Sequence, residues 1–206
     1  MKTKLVVIAL AVLGASGLMA TSPDNPAKVA NPARTAMAIF AGGCFWCTEA
    51  DFEKLPGVIG AESGYTGGKT ANPTYQEVGA GATGHTEAVR VVYDPARVGY
   101  PELLAHFWRN VDPTVKDSQF CDHGSQYRSG IYYQNDEERK AAEESRDALL
   151  KSGKFARIHT EILAAGAFYP AEEYHQDYYK KNPIRYNYYR RGCGRDNRLQ
   201  QIWGAK

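Results

Sequence analysis

The sequence predicts an α/β (α+β) protein, a mixed sheet with helices flanking it. Short apolar runs recur along the chain, segments with apolar residues at helical spacing lie between them, and Gly or Pro separates the two kinds. Strands that alternate with helices must bury one face of each helix on the sheet. Composition agrees with a folded domain: of 206 residues, 43% are hydrophobic and 23% charged, which excludes wholesale disorder and collagen-like structure. The length suffices for one domain with its own core.

Residues 1–20 read as a secretory signal. Lys2 and Lys4 precede an apolar run from Leu5 to Leu13, and small residues follow at Gly14, Ala15, Ser16 and Gly17. The run is too short to span a bilayer, which takes roughly 20 apolar residues. Removing it takes away two lysines and no acid, leaving 23 basic and 23 acidic residues, so the mature chain is formally neutral. Neither that balance nor the +2 of the full chain recruits nucleic acid. Residues 21–35, with Pro23, Pro26 and Pro32, read as a flexible linker.

The folded part begins with Ala36–Phe40, a buried strand running into Ala41-Gly42-Gly43. Residues 44–55 follow as a helix stopped by Pro56-Gly57. Strands are expected at 58–62 and 86–93, and a helix at 101–110 with Leu103, Leu104, Phe107 and Trp108 on one face. A strand at 129–134, a charged helix at 136–151, a strand at 158–163 and a short helix at 171–181 complete a catalytic domain spanning 36–182. Residues 183–206, rich in Tyr, Arg and Gly, read as a long irregular tail wrapping the domain.

The strongest chemical signal is Gly42-Gly43-Cys44-Phe45-Trp46-Cys47. A cysteine at the start of a helix meets unsatisfied N–H groups and the positive end of the helix dipole, which favour a thiolate nucleophile. Cys44 and Cys47 share a helix face, close enough to exchange, a spacing that also describes a thioredoxin-like site. A zinc site built on them with Cys121 and His123 or Cys193 has poor ligand spacing. His85-Thr86-Glu87 lacks the downstream cysteine pair of a zinc deaminase, and Gly68-Lys69-Thr70 lacks the first glycine of a phosphate loop. Glu87 shares a strand face with Val89, Val91 and Tyr93. It is either desolvated into its neutral, proton-donating form or solvated at the strand end. The loop Phe120–Ser129 is dense in polar side chains, and Cys193 between two glycines suits a thiol that must travel.

Several motifs in unbroken order resemble the peptide methionine sulfoxide reductase A family. They are Gly43-Cys44-Phe45-Trp46, Gly64-Tyr65, Asn72-Pro73-Thr74-Tyr75, Gly84-His85-Thr86-Glu87-Ala88-Val89, Tyr93-Asp94-Pro95, Gly124-Ser125-Gln126-Tyr127-Arg128-Ser129 and Tyr174-His175-Gln176-Asp177-Tyr178. The resemblance implies a ferredoxin-like core and thiol-dependent reduction of the S epimer of methionine sulfoxide, free or in oxidised proteins, in protein repair. It makes Cys44 the nucleophile, Phe45 and Trp46 the walls for the substrate methyl group, and Glu87 the proton donor. Tyr75, Asp122 and Tyr127 hydrogen-bond around the sulfoxide oxygen. It implies no metal or organic cofactor, an external dithiol such as thioredoxin or a thioredoxin-like carrier, and a monomer.

The family's commonest pattern has glycine at position 47 and resolves the oxidised nucleophile through a tail cysteine, which Cys193 resembles. Other members resolve at a cysteine in position 47. This chain has both, with Cys121 in addition, and helical spacing makes Cys47 the expected first resolver with Cys193 second or as a relay. A general thiol–disulfide oxidoreductase and a zinc module are the competing functions, neither of which needs Glu87. Export to the periplasm or outside the cell places the thiols in oxidising surroundings, so recycling needs electrons from a dedicated carrier.

Overall fold

Strand β1 (Ala36–Gly42) is the axis of the molecule because its apolar run is buried on both faces. Ala38 and Phe40 enter the main core, where Phe40 stacks on Phe52 and Phe107, while Ile39 and Ala41 face a smaller cluster with Ala88 and Tyr132. In this computed structural model residues 35–204 are described; the expected signal and all but the last residue of the linker lie outside them.

From β1 the chain runs through α1 (Phe45–Phe52), β2 (Val58–Thr66), α2 (Tyr75–Gly79), β3 (Thr86–Tyr93) and α3 (Tyr100–Trp108). Two short strands, β4 (Ser118–Gln119) and β5 (Asp122–His123), pair with each other before a single 3-10 turn at Ser125–Tyr127. β6 (Ser129–Tyr133), α4 (Asp136–Lys151), β7 (Glu161–Ala164) and β8 (Tyr169–Pro170) follow, then α5 (Tyr178–Lys181), α6 (Pro183–Gly192) and α7 (Arg195–Trp203). The main sheet has the order β7-β6-β1-β3-β2-β8, antiparallel except for the β6–β7 pair. The predicted mixed sheet with flanking helices is what forms. Among the described residues no helix is long and apolar enough to cross a membrane.

Differences from the sequence reading have local causes. β2 continues to Thr66 because Ser63–Thr66 pair with β3 and are buried there, although Tyr65 is the one large ring among Ser63, Gly64 and Thr66. α2 was not expected, yet it carries a capping box in which the Thr74 hydroxyl accepts from Glu77 N–H and Glu77 accepts from Thr74 N–H. Only Tyr178–Lys181 of the expected 171–181 helix is helical. The largest correction concerns the tail. Residues 183–203 form α6 and α7 instead of an irregular wrap, with Pro183 at the start of α6 and Gly194, at φ +68°, turning the chain into α7.

These last helices are held by polar anchors rather than by an apolar stripe. The Arg195 guanidinium, 2% exposed, donates to the carbonyls of Gly42 and Asn110 at 3.1 and 2.7 Å and stacks on Phe120. Arg190 and Arg195 both pair with buried Asp51, at 3.0 and 3.4 Å. Leu199 and Trp203 add apolar burial, and the Trp203 indole donates to Val111 O at 3.0 Å.

Candidate active site

The nucleophile candidate is set by a turn that only glycine fits. Gly43 has φ +82°, and a Cβ there would lie 2.5 Å from Cβ of Gln119, itself fixed by hydrogen bonds to the Asp112 backbone. The turn delivers Cys44 as the N-cap of α1, and its carbonyl accepts from Cys47 N–H and Thr48 N–H. The Cys44 side chain makes no capping hydrogen bond of its own. The first helical amide instead finds a carboxyl from the sheet: Phe45 N–H donates to Glu87 Oε2 at 2.9 Å.

Glu87 stands in β3 opposite Tyr65 and is 3% exposed, so the desolvated alternative is the one realised. Burial pushes its pKa up to about 8, against the lowering effect of the Phe45 hydrogen bond. At neutral pH the group is an uncharged acid beside Cys44. Asp122 and the hydroxyls of Tyr75 and Tyr127 share its surroundings: burial raises the pKa of all three, and Glu87 further raises those of both tyrosines, Tyr75 to about 12. The structure thus brings Cys44, Glu87, Tyr75, Asp122 and Tyr127 to one place.

Phe45 and Trp46 have different surroundings. The Phe45 ring is buried between Tyr65, Tyr75 and His175, whereas Trp46 is half-buried and lies flat on Tyr178, centroids 3.7 Å apart. The Trp46 indole N–H donates to His175 Nδ1 at 2.9 Å, and burial keeps His175 neutral so that it can accept. Glu172 accepts from both the Tyr65 hydroxyl and the Tyr75 N–H, fixing Tyr75 from behind. Sequence reasoning assigned no role to His175, Glu172 or Tyr178. His175 and Tyr178 fall inside a motif already singled out, and that clustering was the available signal.

Both Cys44 and Cys47 are free and buried. The helix start favours a charge on Cys44, and burial works against it. Burial pushes the Cys44 thiol well above its ordinary value, and its hydrogen bond to Cys47 adds to the shift. Cys47 moves down to about 7, chiefly through that same hydrogen bond, with burial opposing and the Arg195 and Arg190 cations assisting. The two thiols are thus linked and titrate as a pair.

Cys193, expected as a thiol that travels, is held in a disulfide here. It closes the C-terminal end of α6 and is bonded to Cys121 across 72 residues. The zinc set is not assembled either: among the described residues no group of three ligating atoms includes Cys44 or Cys47.

Residues 36–206 match the family model for peptide methionine sulfoxide reductase. The chain is 55% identical over 171 residues to peptide methionine sulfoxide reductase MsrA of Bacillus licheniformis, covering 82% of this chain and 94% of that one. It is 49% identical over 201 residues to MsrA 2 of Caulobacter vibrioides, covering 98% and 97%. Its fold is similar to that of reduced Mxr1 from Saccharomyces cerevisiae, with TM-score 0.70, 33% identity and coverage of 75% and 89%. Mxr1 is also known in complex with Trx2, a structure similar at TM-score 0.51 and 26% identity over 72% and 87% of the two chains.

Proposed function

The chain belongs to the peptide methionine sulfoxide reductase A family and reduces methionine sulfoxide to methionine, and we propose that Cys44 and Glu87 carry the chemistry, on the S epimer, in free and protein-bound methionine. A sulfoxide resists thiols because its oxygen leaves badly. Neutral Glu87, held through Oε2 by Phe45 N–H, has its other oxygen free to deliver a proton to the sulfoxide oxygen. Cys44 attacks the sulfur as its thiolate. The oxygen ends on Cys44 as a sulfenic acid, thioether departs, and Glu87 is left ionised. Phe45 and Trp46 wall the methyl group, while Tyr75, Asp122 and Tyr127 hold the oxygen.

Cys47 then attacks the Cys44 sulfenic acid, releasing water and forming a Cys44–Cys47 disulfide. Cys193, bonded to Cys121, offers no thiol in this state, so a relay through it requires that bridge to be opened first. An external dithiol of the thioredoxin type restores the pair by exchange, as the association of the relative Mxr1 with Trx2 suggests. The enzyme needs no prosthetic group. We read residues 1–20 as directing export, and the mature protein as a monomer.

The observation that carries this reading is the 2.9 Å contact that ties a buried, uncharged carboxyl to the amide following Cys44. Its test is a single turnover on methionine S-sulfoxide without reductant. Cys44→Ser forms no methionine. Cys47→Ser forms one equivalent and stops with a sulfenic acid that dimedone traps at Cys44. A Cys44–Cys193 bridge in the wild type, with Cys47 free, would reverse the order of resolution.

A further inference from the structure

The segment running from β8 into α5 makes two kinds of grip. His175 and Tyr178 hold Trp46, the first accepting its indole N–H at 2.9 Å and the second lying flat on its ring. The two residues between them hold the scaffold. The Gln176 side-chain amide pairs with the Ser63 backbone like a short piece of strand, accepting from its N–H and donating to its carbonyl, each at 2.9 Å. Asp177 lies in the left-handed region at φ +54°, and its N–H donates to Glu49 Oε1 at 2.7 Å. The other oxygen, Oε2, accepts from the Ser63 hydroxyl at 2.5 Å. Glu49 is 1% exposed, lies about one helical turn beyond Trp46 on α1, and takes no part in the proton and thiol chemistry.

We propose that Glu49, braced by Ser63, is a positioning residue for the substrate pocket: by fixing Asp177 N–H it places His175 and Tyr178, and through them the Trp46 wall against the substrate methyl group. A carboxyl is costly to bury, and burial pushes this one up to about 7 while its hydrogen bonds from Ser63 and Asp177 pull it down. What the fold gains is a join. α1 carries Trp46, the 174–178 segment carries the groups that grip it, and the two meet at Glu49, so ring and grip keep one register. Neither protonation state breaks the join, because a protonated carboxyl still accepts from Asp177 N–H and turns its proton to the Ser63 oxygen. Without the Glu49 oxygen, Asp177 N–H loses its acceptor. Gln176 still pins the segment to β2, but the left-handed turn leading into Tyr178 is released. The wall then has room to tilt, and a pocket shaped for a methyl group admits a longer one.

That role rests on the reading of Trp46 as a wall for the substrate methyl group. Its test is the ratio of kcat/KM for methionine S-sulfoxide to kcat/KM for ethionine S-sulfoxide, whose S-alkyl group is longer by a single carbon, with dithiothreitol as reductant. The ratio does not depend on how much of a preparation is folded, so destabilisation by itself leaves it unmoved. Trp46→Ala is expected to lose most of the methyl preference. Glu49→Leu, close in volume and without an acceptor, is expected to cut the preference about tenfold, within the range that one methylene is worth in an apolar pocket. Glu49→Gln keeps an oxygen for Asp177 N–H and keeps the preference. Ser63→Ala cuts it in the same direction and stands in for Glu49→Leu if that variant does not fold. A preference lowered by Trp46→Ala but unchanged in Glu49→Leu, or in Ser63→Ala standing in for it, overturns the positioning role alone. A preference unchanged in Trp46→Ala overturns the wall itself, and the role of Glu49 with it.

Discussion

Replacing Glu87 by Gln should make the enzyme slower and the fold more stable, and both effects follow from one buried proton. Burial pushes the Glu87 carboxyl up to about 8 in the folded protein, against an ordinary value of 4.5. Because the folded value is raised, the native state binds this proton more tightly than the unfolded chain does. The associated stability is complete below pH 4.5, erodes as pH climbs, and is fully lost above 8. At 1.36 kcal/mol for each pH unit, the loss reaches about 3 kcal/mol at pH 7 and about 5 kcal/mol above pH 8. Glutamine keeps an oxygen for Phe45 N–H and never ionises, so it escapes that loss. Urea denaturation of both proteins at pH 4.5, 7 and 8.5 should therefore show the mutant's advantage growing from near zero to a few kcal/mol, while other titrating groups cancel in the difference. Over the same range the first-turnover rate of the wild type should fall above pH 8 as the acid ionises. The mutant should lack that limb and run roughly 10²–10⁴-fold slower at pH 7. A stability difference that does not change with pH, or an alkaline limb surviving in Glu87→Gln, would refute the assignment of a neutral acid at this position.

Arg195→Met should raise the labelling midpoint of Cys47 above 7, because a cation favouring its thiolate is removed. The same change should cost about 2–4 kcal/mol in chemical denaturation, since it uncaps the Gly42 and Asn110 carbonyls and removes a partner of Asp51; an unmoved midpoint would separate Arg195 from the thiol chemistry. Gly43→Ala should destabilise by roughly 2–4 kcal/mol and impair turnover, because a Cβ at φ +82° collides with Gln119 and shifts the start of α1. Thermal melts together with single-turnover rates check it.

Much of this arrangement was legible in the sequence, and the reasons are specific. β1 and β3 could be read because burial on a sheet leaves apolar runs or alternation, and period two placed Glu87 beside Val89 and Val91, where it sits. Gly-Gly before Cys44 announced a turn that cannot carry a side chain. What escaped reading depends on partners distant in sequence. α6 and α7 are fixed by Arg190 and Arg195 reaching Asp51 and backbone carbonyls, and an arginine's partner leaves no periodic trace. The Cys121–Cys193 pairing joins segments 72 residues apart, and four cysteines admit several pairings.

The grip of Arg195 on the carbonyl of Gly42 also sets the order in which the enzyme is completed during synthesis. The reactive sulfur leaves the ribosome long before the cation that favours a thiolate on its neighbour Cys47. A nascent chain stalled or cut after Asn182 carries every recognisable motif of a reductase and lacks the floor of its own active site. The oxidant-sensitive pair is thus tuned only once Arg195 has joined the fold.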